Sequence, residues 1–399
     1  MVSPIPVAIF LHSHTLGLFF PASPVSRLSS LHPQQLPITV PLLFEKRYIY
    51  TFSRPEQLDL ILVPPQGLPI HKSVSAAKGD ILLQKLKTFR EEITNPLLRR
   101  NQNYKQSAIQ LYQWIVAPLE HDLQALEIDT LVFAMDAGLR SLPLAALYDG
   151  EQFLVEKYNL GLIPSVNLTH MNYSSLKEAQ VLAMGISEFK EFSELPAVPV
   201  EIKTVTSLRQ GEILLNPDFT FNNLKSRRQA KLYQILHFAT HADFQPGEAK
   251  NSYIQLWDSQ LSFDQLRELK WNDPLVELLV LSACRTALGD EQVELGFAGL
   301  AVRTGVKSAI ASLWYVSDEG TLGLMSEFYK HLNEFPTKAE ALRRAQIAML
   351  KGEVRREQNR LLLNSGEEIA LPPQPGNFKE PMFSHPFYWA GFTLVGNPW

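Results

Sequence analysis

The chain has 399 residues, 45% of them hydrophobic and 20% charged, an ordinary composition for a folded globular protein of two or three domains or one large α/β unit. With 37 basic and 41 acidic residues the formal net charge is −4, so no overall basic footprint points to nucleic acid or to an anionic membrane surface. One cysteine, Cys284, cannot form an internal disulfide, and this makes a reducing compartment, the cytoplasm, the expected location.

Residues 1–40 are rich in Pro, Ser and His and follow neither a helical nor a strand period, so they read as a poorly ordered leader or a misplaced start. The apolar stretches 7–11 and 16–20 lack a basic flank and are interrupted by His12 and His14, which argues against a secretory signal. Nowhere do 18 consecutive apolar residues occur, so no membrane association is expected.

Residues 41–175 form a first half. Two strand-like runs at 48–52 and 58–63, separated by Ser53-Arg54-Pro55, read as a hairpin. Amphipathic helices are predicted at about 79–100 and 104–126, followed by strands at 130–134 and 160–164. The second half, 176–399, alternates strands at 180–186, 232–240, 275–283 and 308–316 with helices near 199–209, 218–229, 261–270 and 294–304. That spacing predicts right-handed βαβ crossovers and a mostly parallel sheet flanked by helices, an α/β fold. Helices at 319–334 and 337–351 follow, then a Pro-rich stretch, 352–381, that reads as a flexible loop, and a last strand at 389–395. No 34-residue repeat is present.

The strand predicted to end at Ala283 is followed at once by Cys284, and the strand predicted to end at Thr240 by His241. Parallel strands share one carboxyl edge, where open α/β sheets place their sites, so the two side chains are expected to meet as a nucleophile and its base. An imidazolium neighbour lowers a thiol pKa below its free value of about 8.5, which makes the thiolate available. His237 lies inside the apolar run, roughly 13 Å from His241 along an extended strand, and reads as a hydrogen-bonded core residue. His385, before Pro386, also reads as structural. The backbone N–H groups of Cys284 and Ala242 are the candidate donors for an oxyanion. Signatures of P-loops, zinc peptidases, serine hydrolases and paired C-x-x-C zinc sites do not occur, and nothing demands a metal or a cofactor.

Three ordered motifs carry a family resemblance. They are His-Phe-Ala-Thr-His-Ala at 237–242, Leu-Ser-Ala-Cys-Arg-Thr-Ala-Leu-Gly at 281–289 and Ala-Ser-Leu-Trp-Tyr-Val-Ser-Asp at 311–318, with His-Pro-Phe-Tyr-Trp-Ala-Gly-Phe at 385–392 as a closing strand. From about Leu43 to its end the chain resembles the CHAT domain family, caspase-like cysteine peptidases related to separase. The resemblance implies a His241/Cys284 dyad that cleaves protein or peptide substrates through a thioester. It also implies a first half that is a degenerate copy of the same sheet, and control by an activator, which would be a separate tetratricopeptide or other regulatory chain. Family members often carry Gly after the catalytic histidine. Ala242 stands there instead, at a cost of about 1 kcal/mol if the position needs φ > 0. Asp318 ends the strand after the nucleophile strand. It reads either as the N-cap of helix 319–334 or, as the likeness to separase implies, as the carboxylate that receives a basic P1 side chain, with Asp243 and Asp258 as weaker candidates. The alternative function is a catalytically silent scaffold that keeps the fold and binds protein partners.

Overall fold

The computed structural model describes residues 48–166, 169, 171–243, 253–282, 296–372 and 381–399. The stretch 1–40 and the nucleophile candidate Cys284 therefore lie outside the described residues.

The chain opens with β1 (Tyr48–Ser53), β2 (Leu58–Val63) and β3 (Ile70–Val74), then α1 (Gly79–Thr94), α2 (Tyr104–Ile115), α3 (Glu120–Ala125), β4 (Thr130–Met135), α4 (Leu154–Lys157) and β5 (Asn159–Leu162). The long second helix expected from the sequence stops at Ile115, because Pro118 lacks the N–H that would continue it, and α3 resumes after a short turn. Next come β6 (Val181–Gly185), α5 (Val198–Leu208), β7 (Gly211–Leu215), α6 (Phe221–Ala230), β8 (Ile235–Ala239), β9 (Ala242–Asp243), β10 (Tyr253–Gln255), β11 (Gln260–Ser262), α7 (Phe263–Glu268) and β12 (Leu278–Leu281). The remainder holds α8 (Gly296–Arg303), β13 (Ser308–Ser312), α9 (Asp318–Glu334), α10 (Lys338–Leu350), β14 (Arg355–Glu357), β15 (Arg360–Leu362), β16 (Glu368–Ala370), α11 (Pro386–Trp389) and β17 (Phe392–Gly396).

Eleven of these strands form one sheet in the order β3-β2-β1-β4-β5-β17-β13-β12-β8-β6-β7. Both halves of the sequence contribute to it. The strands β1, β4, β5 and β17 run parallel to one another, and so do β13, β12, β8, β6 and β7; the two blocks meet where β17 pairs antiparallel with β13. The carboxyl ends of the second block therefore share one edge, opposite to that of the first block.

The strands nearest that block's centre, β6, β8, β12 and β13, are buried at every residue, which explains why they read as unbroken apolar runs rather than alternating ones. α5 packs against α9, and α9 against α10. A Cβ at Gly185 would meet Val198 Cγ1 at 2.5 Å, so glycine at the end of β6 lets the first turn of α5 lie directly on the sheet.

The stretch 352–372, expected as a flexible loop, is instead a three-stranded antiparallel meander of β14, β15 and β16. Leu361, Leu363, Ile369 and Leu371 bury one face of it, and the turns pass through Gln358 and Gly366 at φ of +56° and +81°. Residues 373–380 of the same stretch lie outside the described part.

Candidate active site

The site is built where β8 and β12 leave the sheet. They run parallel with Leu281 beside Phe238, and Ser282 donates its backbone N–H to the Phe238 oxygen at 3.0 Å. The two chains thus emerge side by side. His241 follows Thr240 on one of them, and Cys284 stands two residues beyond Ser282 in sequence.

The His241 ring has defined partners. Its Nε2–H donates to the backbone oxygen of Ser193 at 2.7 Å, and its centroid lies 4.6 Å from that of Phe189 and 5.4 Å from that of Phe192. A carbonyl oxygen only accepts, so the hydrogen resides on Nε2 and the lone pair on Nδ1, the arrangement a general base requires. These contacts come from the segment after β6, at the same sheet edge. Ile186 donates to the Ala239 oxygen at 2.9 Å, Ser187 donates to Asn216 Oδ1 at 2.8 Å, and Leu195 donates back to the Ser187 oxygen at 3.0 Å. Sequence reasoning missed Phe189, Phe192 and Ser193. The available signal was two aromatic residues three apart in the polar run 187–194, placed after a central strand.

Ala242 is buried and lies in β9, opposite Ile254 of β10. The bond from Gln255 N–H to the His241 oxygen, 2.8 Å, makes Ala242 and Ile254 a non-hydrogen-bonded pair, so the Ala242 N–H points away from β10. Ala242 is not among the described residues with positive φ. The expected penalty for a residue with a Cβ at this position therefore does not arise. Asp243 follows in β9; its side chain lies outside the described part.

Asp318 is not the N-cap of α9. That role belongs to Ser317, whose hydroxyl accepts from Gly320 N–H at 3.3 Å, and Asp318 is the first helical residue. Its Oδ2 accepts from Ala197 N–H, ahead of α5, at 2.8 Å. Asp318 lines a cavity of about 20 Å³ whose wall includes Thr240 and Ser282, the residues just before His241 and shortly before Cys284. Burial pushes its pKa up to about 7, with the Glu201 and Glu319 charges adding to the rise and the Ala197 N–H opposing it. Asp258 lies elsewhere, on an open groove of roughly 700 Å³ that also takes in Phe189 and Phe192; Glu188, Glu191 and Glu194 line it with Asp258, against the single ammonium of Lys190.

The two histidines read from the sequence as structural, His237 and His385, have structural partners. His237 is fully buried, with Nε2 at 2.8 Å from Glu201 Oε1 and Nδ1 at 3.1 Å from the Tyr329 hydroxyl. His385 is the N-cap of α11 through Nδ1, which accepts from Phe387 N–H, and burial lowers its pKa to about 4, helped by Arg99. Among the described residues no group of three or more His, Cys, Asp or Glu side chains could hold a metal ion, and no helix is long and apolar enough to cross a membrane.

A CHAT domain family model matches residues 105–397. The chain belongs to the CHAT domain family. The fold of this CHAT protein is caspase-like, a large, mostly parallel sheet flanked by helices. It is similar to the Saccharomyces cerevisiae separase–securin complex, of which two crystal structures align with TM-scores of 0.54 and 0.52 at 8% and 9% identity, each over 88% of this chain and 30% of that one. The Arg specific cysteine proteinase gingipain R aligns with a TM-score of 0.44 at 14% identity, over 77% of this chain and 69% of that one. No curated protein matches the chain.

Proposed function

We propose that this CHAT protein is a cysteine endopeptidase in which Cys284 is the nucleophile and His241 the base. The observation that carries the reading is the His241 to Ser193 hydrogen bond, which leaves Nδ1 of the neutral ring unprotonated at the edge where β12 ends, with Ser282 two residues before Cys284 in sequence. Nδ1 takes the thiol proton and the thiolate attacks the scissile carbonyl carbon. The oxyanion accepts hydrogen bonds from the N–H groups of Ala242 and Cys284. Collapse expels the amine, which receives the proton from the imidazolium and leaves a thioester. Water, deprotonated by Nδ1, then hydrolyses the thioester and restores the thiol.

Asp318 is proposed as the residue that reads a basic P1 side chain, because it lines a cavity walled by the residues that precede both members of the dyad. Asp243 and Asp258 remain weaker candidates; the groove that holds Asp258 is acidic and would suit basic residues elsewhere in a substrate. The cavity at Asp318 has room for about a water molecule, so a P1 side chain requires its wall to move. That favours low activity in the resting chain and control by an activating protein partner. The silent-scaffold alternative drew its support from Ala242, whose extended backbone removes the objection.

The test is labelling with a peptidyl acyloxymethyl ketone that carries Arg at P1, the full chain beside Cys284→Ala and His241→Ala. Labelling confined to the parent chain supports the dyad. Labelling equal in all three sinks it.

A further inference from the structure

A second carboxylate lies on the cavity that Asp318 lines. Glu201 of α5 is 2% exposed and lines this cavity together with Asp318, Thr240 and Ser282. Thr321, 3% exposed, lines it as well, with a hydroxyl that has no hydrogen-bond partner among the described residues. The cavity thus holds two acidic groups and an unused buried hydroxyl, a polar arrangement suited to a cation.

We infer that Glu201 is a positioning residue for Asp318: its carboxylate, held by His237 on the same cavity, adds to burial in keeping a proton on Asp318 while the cavity is empty, and an entering guanidinium or ammonium group displaces that proton to solvent. The inference rests on the reading of Asp318 as the acceptor of a basic P1 side chain.

Burial raises the Tyr329 pKa well above its ordinary value, so its hydroxyl stays protonated and is able to donate to His237 Nδ1. His237 Nε2 then carries the hydrogen and donates to Glu201 Oε1. Two carboxylates on one water-sized cavity cannot both ionise cheaply, and the one without the imidazole donor takes the proton. Among the described residues the charged and titratable groups around Asp318 are few. Glu201 faces it from α5, backed by His237 on β8 and Tyr329 on α9, with Arg209 at the end of α5 acting on Tyr329. Glu319, on its own helix, is held by Arg356 at 2.6 Å, and His241 follows the wall residue Thr240. The rise of the Asp318 pKa to about 7 agrees with this arrangement, burial being its largest cause and Glu201 the larger of the two charge effects. Charge balances in the exchange. One positive side chain arrives, one proton leaves, and the cavity carries a net single negative charge before and after.

The exchange is read by calorimetry of the full chain carrying Cys284→Ala, in two buffers of different ionisation enthalpy, with a short peptide amide containing Arg and its citrulline counterpart. At pH 6.5 the Arg peptide is expected to release roughly three quarters of a proton, as a group with a pKa near 7 requires, and the citrulline peptide none. Asp318→Asn abolishes the release. Glu201→Gln keeps an oxygen for His237 N–H, which a thermal melt checks, and it lowers the release at pH 6.5 below that of the parent. Equal release by the parent and Glu201→Gln overturns the inference. So does absence of release from a parent that binds the Arg peptide preferentially, however the variant behaves. If Arg and citrulline peptides bind alike, the basic P1 reading fails instead. Carbon-13 NMR titration of Asp318 without peptide then decides the role of Glu201: the Asp318 pKa falls in Glu201→Gln if the inference holds, and stays put if it does not.

Discussion

The Nε2 atom of His241 lies 2.7 Å from the backbone oxygen of Ser193, and that contact decides which ring nitrogen is free to act. Nitrogen-15 NMR of the resting chain should show the neutral His241 ring with hydrogen on Nε2 and an unprotonated Nδ1. If Nδ1 faces Cys284, iodoacetamide at mildly acidic pH should label the cysteine, and His241→Ala should reduce the rate by at least about tenfold. A labelling profile typical of a free thiol, indifferent to the His241 substitution, would remove the dyad.

Asp318→Asn separates recognition from chemistry. For an Arg P1 substrate kcat/KM should fall by roughly tenfold or more, at least about 1.4 kcal/mol of transition-state stabilisation, while Cys284 alkylation is unchanged. Stability supplies a second readout with a definite sign. The folded state holds Asp318 with a pKa of about 7 against an ordinary 3.8, so it favours the protonated form. The benefit is complete below about pH 4 and is lost as pH rises through 7. Asn carries no charge, so the melting temperature of Asp318→Asn relative to the parent should rise between pH 5 and pH 8. A constant difference across that range would show that Asp318 is not perturbed.

Ala242→Gly tests the departure from the family pattern. The position is extended and buried, with a neighbour across β10, so glycine relieves no strain there. The variant should lose up to about 1 kcal/mol of stability through added unfolded-state freedom and gain no activity. A clear rise in labelling or turnover would mean that the active conformation at 242 differs from the extended one.

The candidate edge was legible in the sequence because β8 and β12 are buried on both faces and so read as continuous apolar runs ending at a histidine and shortly before a cysteine. Three kinds of element were not. The sheet's edge strands β3 and β7 are half exposed and mix charged with apolar residues, which weakens the period. The two- and three-residue strands β9 to β11 are shorter than any pattern window. In 352–372 the Pro and Gly content masked an alternation, Leu361, Leu363 and Ile369, Leu371, that marks a meander. The contacts of these histidines were hidden for another reason. Ser193 meets His241 through its backbone oxygen, which no residue identity reveals, and Glu201, the partner of His237, sits in a helix that composition alone makes an ordinary amphipathic one.

The meander is tied to the site by Arg356, whose guanidinium bonds Glu319 at 2.6 Å with both side chains almost entirely buried. Glu319 adjoins Asp318 at the start of α9, so the pair fixes the first turn of that helix to β14 and offsets a charge beside the cavity. Removing one partner of a buried pair typically costs about 3–5 kcal/mol, because the other is left desolvated without its counter-charge. Arg356→Met should therefore lower the melting temperature strongly and speed limited proteolysis within 352–372. It should also raise the Asp318 pKa, since the Glu319 charge that pushes it up is no longer offset. Adding Glu319→Leu should recover much of the stability and bring the Asp318 pKa below that of the single variant, whereas a pair that matters only for packing would leave the Asp318 titration the same in all three chains.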